Sequence, residues 1–281
     1  MNNRTDIEFL IYGENPMIEN IEIVNDESFV DLVVHLPSFR PFLLDQVVSL
    51  CTKIIISSNL KQFLVETAIN SCPVICYRLF KANALTFDEI EGALMKENSF
   101  VAFYYFQNQL MNFEKIILGA EKPDDISLDF ENDKESLNLM MQHGFIPSSI
   151  EFFLKYDDIF GLQEIFSRKT LINEDIARWS QFEWSKKPRW LDFLSFSGFF
   201  GSIKCFKFLL MNGYFINHHV SEMVICSGQI ELFHLFDKQN EDFEEYMCLS
   251  SEFYRLPFLE FFINNQVDIS AKNHNEYFNF T

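Results

Sequence analysis

The 281-residue chain is 48% hydrophobic and carries 22 Lys and Arg against 41 Asp and Glu, a formal net charge of −19. A chain of this size buries about 75% of its unfolded surface, and 34 phenylalanines against nine glycines and eight prolines exclude collagen-like, linker-like and disordered classes. The charge repels phosphate backbones and anionic lipid surfaces, so neither nucleic acid nor a membrane is an expected partner.

Residues 1–27 show no clear period, and Arg4 is followed at once by Asp6 and Glu8, so no secretory signal is expected. From Ser28 apolar residues recur at helical spacing: Phe29, Leu32, Val33 and Leu36 predict one helix, and Phe42, Val47, Leu50, Cys51, Ile54 and Ile55 a second, separated by Pro37 and Pro41. Leu60, Phe63, Leu64, Thr67 and Ala68 predict a third, and Pro73 suits the first turn of a short fourth. Phe87, Ile90 and Leu94 outline a fifth. The run Phe100 to Leu118 is read as helix, because Gln107, Asn108, Gln109 and Glu114 interrupt it; its apolar core, Phe100 to Phe106, is far too short to span a bilayer. The acidic stretches Asp6 to Asp31, Glu121 to Glu135 and Asp237 to Glu245 read as solvated faces.

Six cysteines (Cys51, Cys72, Cys76, Cys205, Cys226, Cys248) sit in apolar stretches, as buried free thiols of a reducing compartment would. Cys72 and Cys76 share a helical face, but no CxxC pair or nearby histidine completes a zinc set. The expected metal and cofactor complement is therefore none, and the expected location cytoplasmic.

The second half repeats itself. At offsets of two, five and eight, Gly201 is followed by Ile203, Phe206 and Leu209, and Gly228 by Ile230, Phe233 and Phe236. The same offsets give Leu256, Leu259 and Phe262 after Tyr254, and Ile159, Leu162 and Ile165 after Asp157. Small residues precede these positions, and Asn212-Gly213 with Ile216-Asn217 is echoed by Asn265-Gln266 with Ile269-Ser270. A further copy ends at His143-Gly144-Phe145-Ile146. Glycine is favoured between two antiparallel helices because a left-handed backbone costs it little; Asp157 is tolerable there and Tyr254 is a departure.

These residues resemble the ankyrin repeat. Ser197-Gly198-Phe199-Phe200-Gly201 stands where the first helix meets its turn, Phe206-Lys207-Phe208-Leu209-Leu210 resembles the second helix, and Gly213-Tyr214-Phe215-Ile216-Asn217 the closing loop. Val267-Asp268-Ile269-Ser270-Ala271-Lys272-Asn273 is the nearest match to that loop. Positions 157, 201, 228 and 254 lie 44, 27 and 26 residues apart, against a usual period of about 33. The first gap thus holds an insertion and the later units are short, as in the Phe-rich, divergent ankyrin proteins expanded in parasitic protists. The resemblance implies an all-α chain, a helical-hairpin solenoid over 126–281 preceded by an N-terminal helical segment over 1–125. It also implies a non-enzymatic scaffold that binds a protein on the solenoid surface.

Inside the insertion, Trp179, Trp184 and Trp190 cluster around Lys186-Lys187-Pro188-Arg189, the one basic loop of an acidic protein. Aromatic residues beside Arg mark binding hot spots, and also pack insertions onto solenoids. Trp184, Trp190, Tyr214, Phe215, His218 and His219 are the candidate partner contacts. No phosphate-binding loop, dinucleotide fingerprint, HExxH or GxSxG motif occurs, and His234 falls within a repeat helix, so catalysis is not expected. Carboxylate chemistry through Glu241, Asp242, Glu244 and Glu245 is the enzymatic alternative, a solvated helix start the simpler one. A second binding reading is a two-part adaptor of the ubiquitin-ligase type, its N-terminal helices docking another partner. An uncapped last helix pair would make the C-terminal face sticky, covered by the tail Asn273 to Phe280 or by another chain.

Overall fold

The protein is described by a computed structural model over residues 23, 25–39, 41–57, 59–97, 99–111, 134–168, 176–180, 182, 190–235, 243–253 and 255–264. The chain divides into two units, Met1–Phe145 with Ser180–Lys187, and Ile146–Trp179 with Pro188–Thr281. The boundary expected at residues 125 and 126 lies outside the described residues. Among the described residues the structure is helical throughout, save one 3₁₀ turn at Pro41–Leu43 and a two-stranded ribbon that the all-α reading did not foresee. None of the described helices is long and apolar enough to cross a membrane.

The first unit contains α1 (Glu27–Phe39), α2 (Leu44–Ser57), α3 (Lys61–Ser71), α4 (Pro73–Lys81), α5 (Phe87–Glu97), α6 (Phe100–Tyr105) and α7 (Lys134–His143). Most of its apolar stripes are buried as their spacing predicts, with Val33 and Leu36 on α1, Leu50 and Ile54 on α2, and Leu64 and Ala68 on α3, but Phe42, expected in the second stripe, lies in the 3₁₀ turn before α2 and is exposed. Pro37 lies inside α1 rather than ending it. It sits so near the helix end that its missing N–H removes a single bond from the last turn. Pro73 opens α4 as expected, directly after Cys72. α6 stops at Tyr105, well short of the helix expected up to Leu118. Phe106 caps it with its N–H on Phe103 O at 3.2 Å, and Gln107 to Gln109 form a turn, so these amides mark a break rather than a helix surface. Residues 112–118 lie outside the described part.

The packing in this unit follows two rows. α1 packs on α3 and α3 on α5, while α2 packs on α4 and α4 on α6. Ion pairs join neighbours along the rows, Lys61 with Glu89, Lys96 with Glu66 at 3.4 Å, and Arg78 with Asp45. Exposed pairs of this kind contribute at most about 1 kcal/mol each, so the buried aliphatic rows carry the unit.

The second unit contains α8 (Ile150–Lys155), α9 (Ile159–Ser167), β1 (Ile176–Arg178), β2 (Trp190–Asp192), α10 (Phe193–Phe200), α11 (Ile203–Met211), α12 (His218–Ser227), α13 (Ile230–Phe233), α14 (Phe243–Glu252) and α15 (Leu256–Asn264). Each α9, α11, α13 and α15 pairs with the helix before it; α8, α10, α12 and α14 pack in succession, and α9 packs on α11. Side-chain oxygens start the helices: Ser149 accepts from Phe152 N at 3.2 Å, Asp192 from Ser195 N at 2.9 Å and Asn217 from Val220 N at 2.9 Å. α13 is a single turn, and His234 is its C-cap rather than a helix-interior residue.

The turns between paired helices are left-handed where the sequence places them: φ is +53° at Asp157, +67° at Gly201 and +84° at Gly228. Tyr254 lies outside the described residues. The residue after each turn touches the turn of the preceding pair. Ser202 donates its hydroxyl to Leu154 O, and nearby Cys205 N donates to the Asp157 carboxylate at 2.9 Å. Gln229 covers Gly201, where any Cβ would collide with its Cγ. Arg255 donates Nε to Cys226 O at 2.8 Å and lies 3.0 Å from where a Gly228 Cβ would stand. One joint thus recurs three times along the unit.

All eight residues of α10, Phe193 to Phe200, are buried, between α8, α12 and the ribbon. This explains the density of phenylalanine in that stretch, since a helix covered on three sides needs no polar face.

Candidate functional site

The insertion forms the antiparallel ribbon, with Ile176 opposite Asp192 and Arg178 opposite Trp190. Three-residue strands carry too little alternation to be read from sequence. Trp179 stacks on Phe200 with centroids 5.5 Å apart and planes 14° from parallel, and also meets Phe196 and Phe199. It is a packing residue that fastens the ribbon to α10. Trp184 and the basic run Lys186 to Arg189 lie outside the described residues, and of Trp190 only the backbone, in β2, is described.

The α11–α12 loop is the other candidate surface. Asn212 donates its side-chain amide to Phe208 O at 2.8 Å, and Tyr214 N donates to Leu209 O at 3.2 Å, so the loop folds back over the end of α11. The Tyr214 ring turns inward, 6.4 Å from both Phe166 and Phe193. Tyr214 is therefore half-buried packing rather than an open contact. Phe215, next to it, is 75% exposed.

Asn217 caps α12, which leaves both histidines free to project from its first turn. His218 Nε2 lies 3.0 Å from Glu245 Oε2, and its ring stands edge-on to Tyr246 at 5.6 Å. His219 Nδ1 lies 2.8 Å from Glu222 Oε2. An ionised carboxylate only accepts, so each of these ring nitrogens carries the proton it donates. Glu245 does sit in the first turn of α14, as a solvated helix start would, yet it is engaged by a histidine of the neighbouring pair. Glu241 and Asp242 lie outside the described residues, as do the side chain of Glu244, the loop Val267 to Asn273 and the tail. Glu222 and its place beside these histidines were not anticipated; the only signal was its spacing of four from His218, which puts both on one helical face.

The thiols behave as core residues. Cys51, Cys72, Cys76, Cys205 and Cys226 are buried, Cys248 is half-buried, and none of the six is in a disulfide. Burial pushes the Cys51 thiol up to about 12, and raises Cys76 well above the ordinary value with a smaller contribution from Cys51 and Cys72. Cys205 is raised too, by burial first and by the adjacent Asp157 carboxylate second. Thiols held neutral are poor nucleophiles and poor metal ligands. Comparison of the chain with protein-family models, with curated proteins and with solved structures found no match.

Proposed function

We propose that the chain is a non-enzymatic, cytoplasmic protein-binding scaffold of the divergent ankyrin type, gripping its partner with the loops that join successive helix pairs. The observation that carries the reading is the recurrent joint. Left-handed turns at Asp157, Gly201 and Gly228 each begin a second helix two residues later, and each is covered by the pair that follows. Helix pairs laid side by side in this way leave their connecting loops as a continuous surface, the usual recognition face of repeat proteins. Phe215 supplies an exposed aromatic anchor there, with His218 and His219 alongside. Trp184 and Trp190 complete the candidate contacts. The net charge of −19 favours a basic protein partner over nucleic acid. Six cysteines in no disulfide favour a reducing compartment.

A second reading has its own support in the division into two units. A two-part adaptor, for example of the ubiquitin-ligase type, would dock one partner on each. Its C-terminal face, if not covered by the chain's own tail, would also pair with another copy.

Quantitative affinity capture with the full chain tests the first reading. Recovery of the principal partner should fall about tenfold or more for Phe215→Ala, the loss typical of a hot-spot aromatic. Full recovery with Phe215→Ala, and again with Trp184→Ala and Trp190→Ala combined, would remove the loop surface as the binding site. Cross-links from two different partners to one chain, one of them within residues 1–145, would select the adaptor.

A further inference from the structure

We propose that His218, Glu222 and Glu245 form a divalent transition-metal site, with zinc as the best-suited ion, bridging α12 and α14. One ligand atom from each of the three lies within 4.8 Å of the other two. His218 and Glu222 are one helical turn apart on α12, and Glu245 reaches them from the first turn of the neighbouring α14. Zinc–nitrogen and zinc–oxygen bonds are about 2.0–2.2 Å long, so ligand atoms gathered this closely converge on a shared ion after small side-chain rotations.

Charge favours the ion. Two carboxylates place two negative charges around one imidazole. The positive ends of α12 and α14 offset only about half a charge each, so the trio remains net negative until a divalent cation enters. The imidazole nitrogen selects among cations: calcium and magnesium prefer all-oxygen shells, while zinc and its neighbours take nitrogen with carboxylate oxygen. On binding, His218 Nε2 yields the proton it now donates to Glu245 while Nδ1 takes one up, so the imidazole ligates as its neutral tautomer with no net loss of protons. His219 donates to the second carboxylate, holding Glu222 in place as an outer partner of the ligand. Exposures of 51% for the His218 side chain and 47% for that of Glu245 leave room for water, or for a side chain of a docked protein, in the remaining coordination positions. The site stands independently of the scaffold reading, because it needs no partner.

The test is titration of the chelator-treated full chain with Zn2+ by calorimetry and with Co2+ by visible absorption. One ion should bind per chain, with a cobalt spectrum of nitrogen and oxygen ligation. His218→Ala, Glu222→Gln and Glu245→Gln should each weaken binding by about 10- to 100-fold. His218 and Glu245 are exposed and Glu222 is partly buried, so helical circular dichroism is measured for each variant, and unchanged spectra will confirm that they fold. Absence of saturable binding would overturn the site and leave a surface ion pair only. So would unchanged, wild-type affinity in all three variants, or a thiolate-to-cobalt charge-transfer band placing the ion on cysteine.

Discussion

At the scale of single residues, strain and protonation make the sharpest predictions. Gly201 has φ of +67° and Gln229 packed over it. Gly201→Ala therefore meets both a left-handed backbone cost of about 1–2 kcal/mol and a collision with a neighbouring pair. It should lower unfolding free energy by about 2 kcal/mol in urea titration; a change under about 0.5 kcal/mol would show the turn to be relaxed. The buried thiols set a pH dependence. Below about pH 8.5 folded and unfolded chains alike keep Cys51, Cys76 and Cys205 protonated. Above it the unfolded chain loses protons that the folded chain retains, so stability falls with rising pH, by up to roughly 1.4 kcal/mol per pH unit for each thiol. For Cys51 the fall ends near its folded value of about 12. Urea midpoints that stay level from pH 8 to 10 would contradict this. Half-buried Cys248 should react first with a thiol reagent at neutral pH, ahead of the five buried cysteines.

At the scale of elements, the joints between pairs carry more than the surface charges do. Arg255 is buried with its guanidinium on Cys226 O, whereas Lys207 and Glu231 pair at 2.7 Å on exposed surfaces of α11 and α13. Arg255→Ala should cost about 2–4 kcal/mol, through a lost charged hydrogen bond and lost packing, while Glu231→Gln should cost less than about 0.5 kcal/mol. Similar effects from the two changes would mean that the joint is not a joint. The joints also show what a sequence can reveal. Gly201 and Gly228 announced their turns because few other residues tolerate that backbone, and the apolar offsets located the helices that follow. The two rows of the first unit were illegible because no glycine marks them: α3 meets α4 through Cys72-Pro73, and Pro37 sits within α1 where a break was expected. Polar Gln107 to Gln109 proved to be a turn, since amides do not distinguish a wet helix face from a helix end. The His218–Glu245 contact was hidden because its halves lie 27 residues apart and meet only through packing of α12 on α14.

At the scale of the whole molecule, the proposed scaffold requires helix pairs in the second unit that each hide a neighbour's apolar flank, and such arrays have few contacts beyond the nearest neighbour. Damage at one joint should then spread only to adjoining pairs. Amide hydrogen exchange, comparing the wild-type chain with Gly228→Ala, tests this most directly. The account predicts faster exchange concentrated in α12 to α15, with α8 and α9 close to wild type. An equal loss of protection across all described helices from α8 to α15 would show a single interlocked core and contradict it.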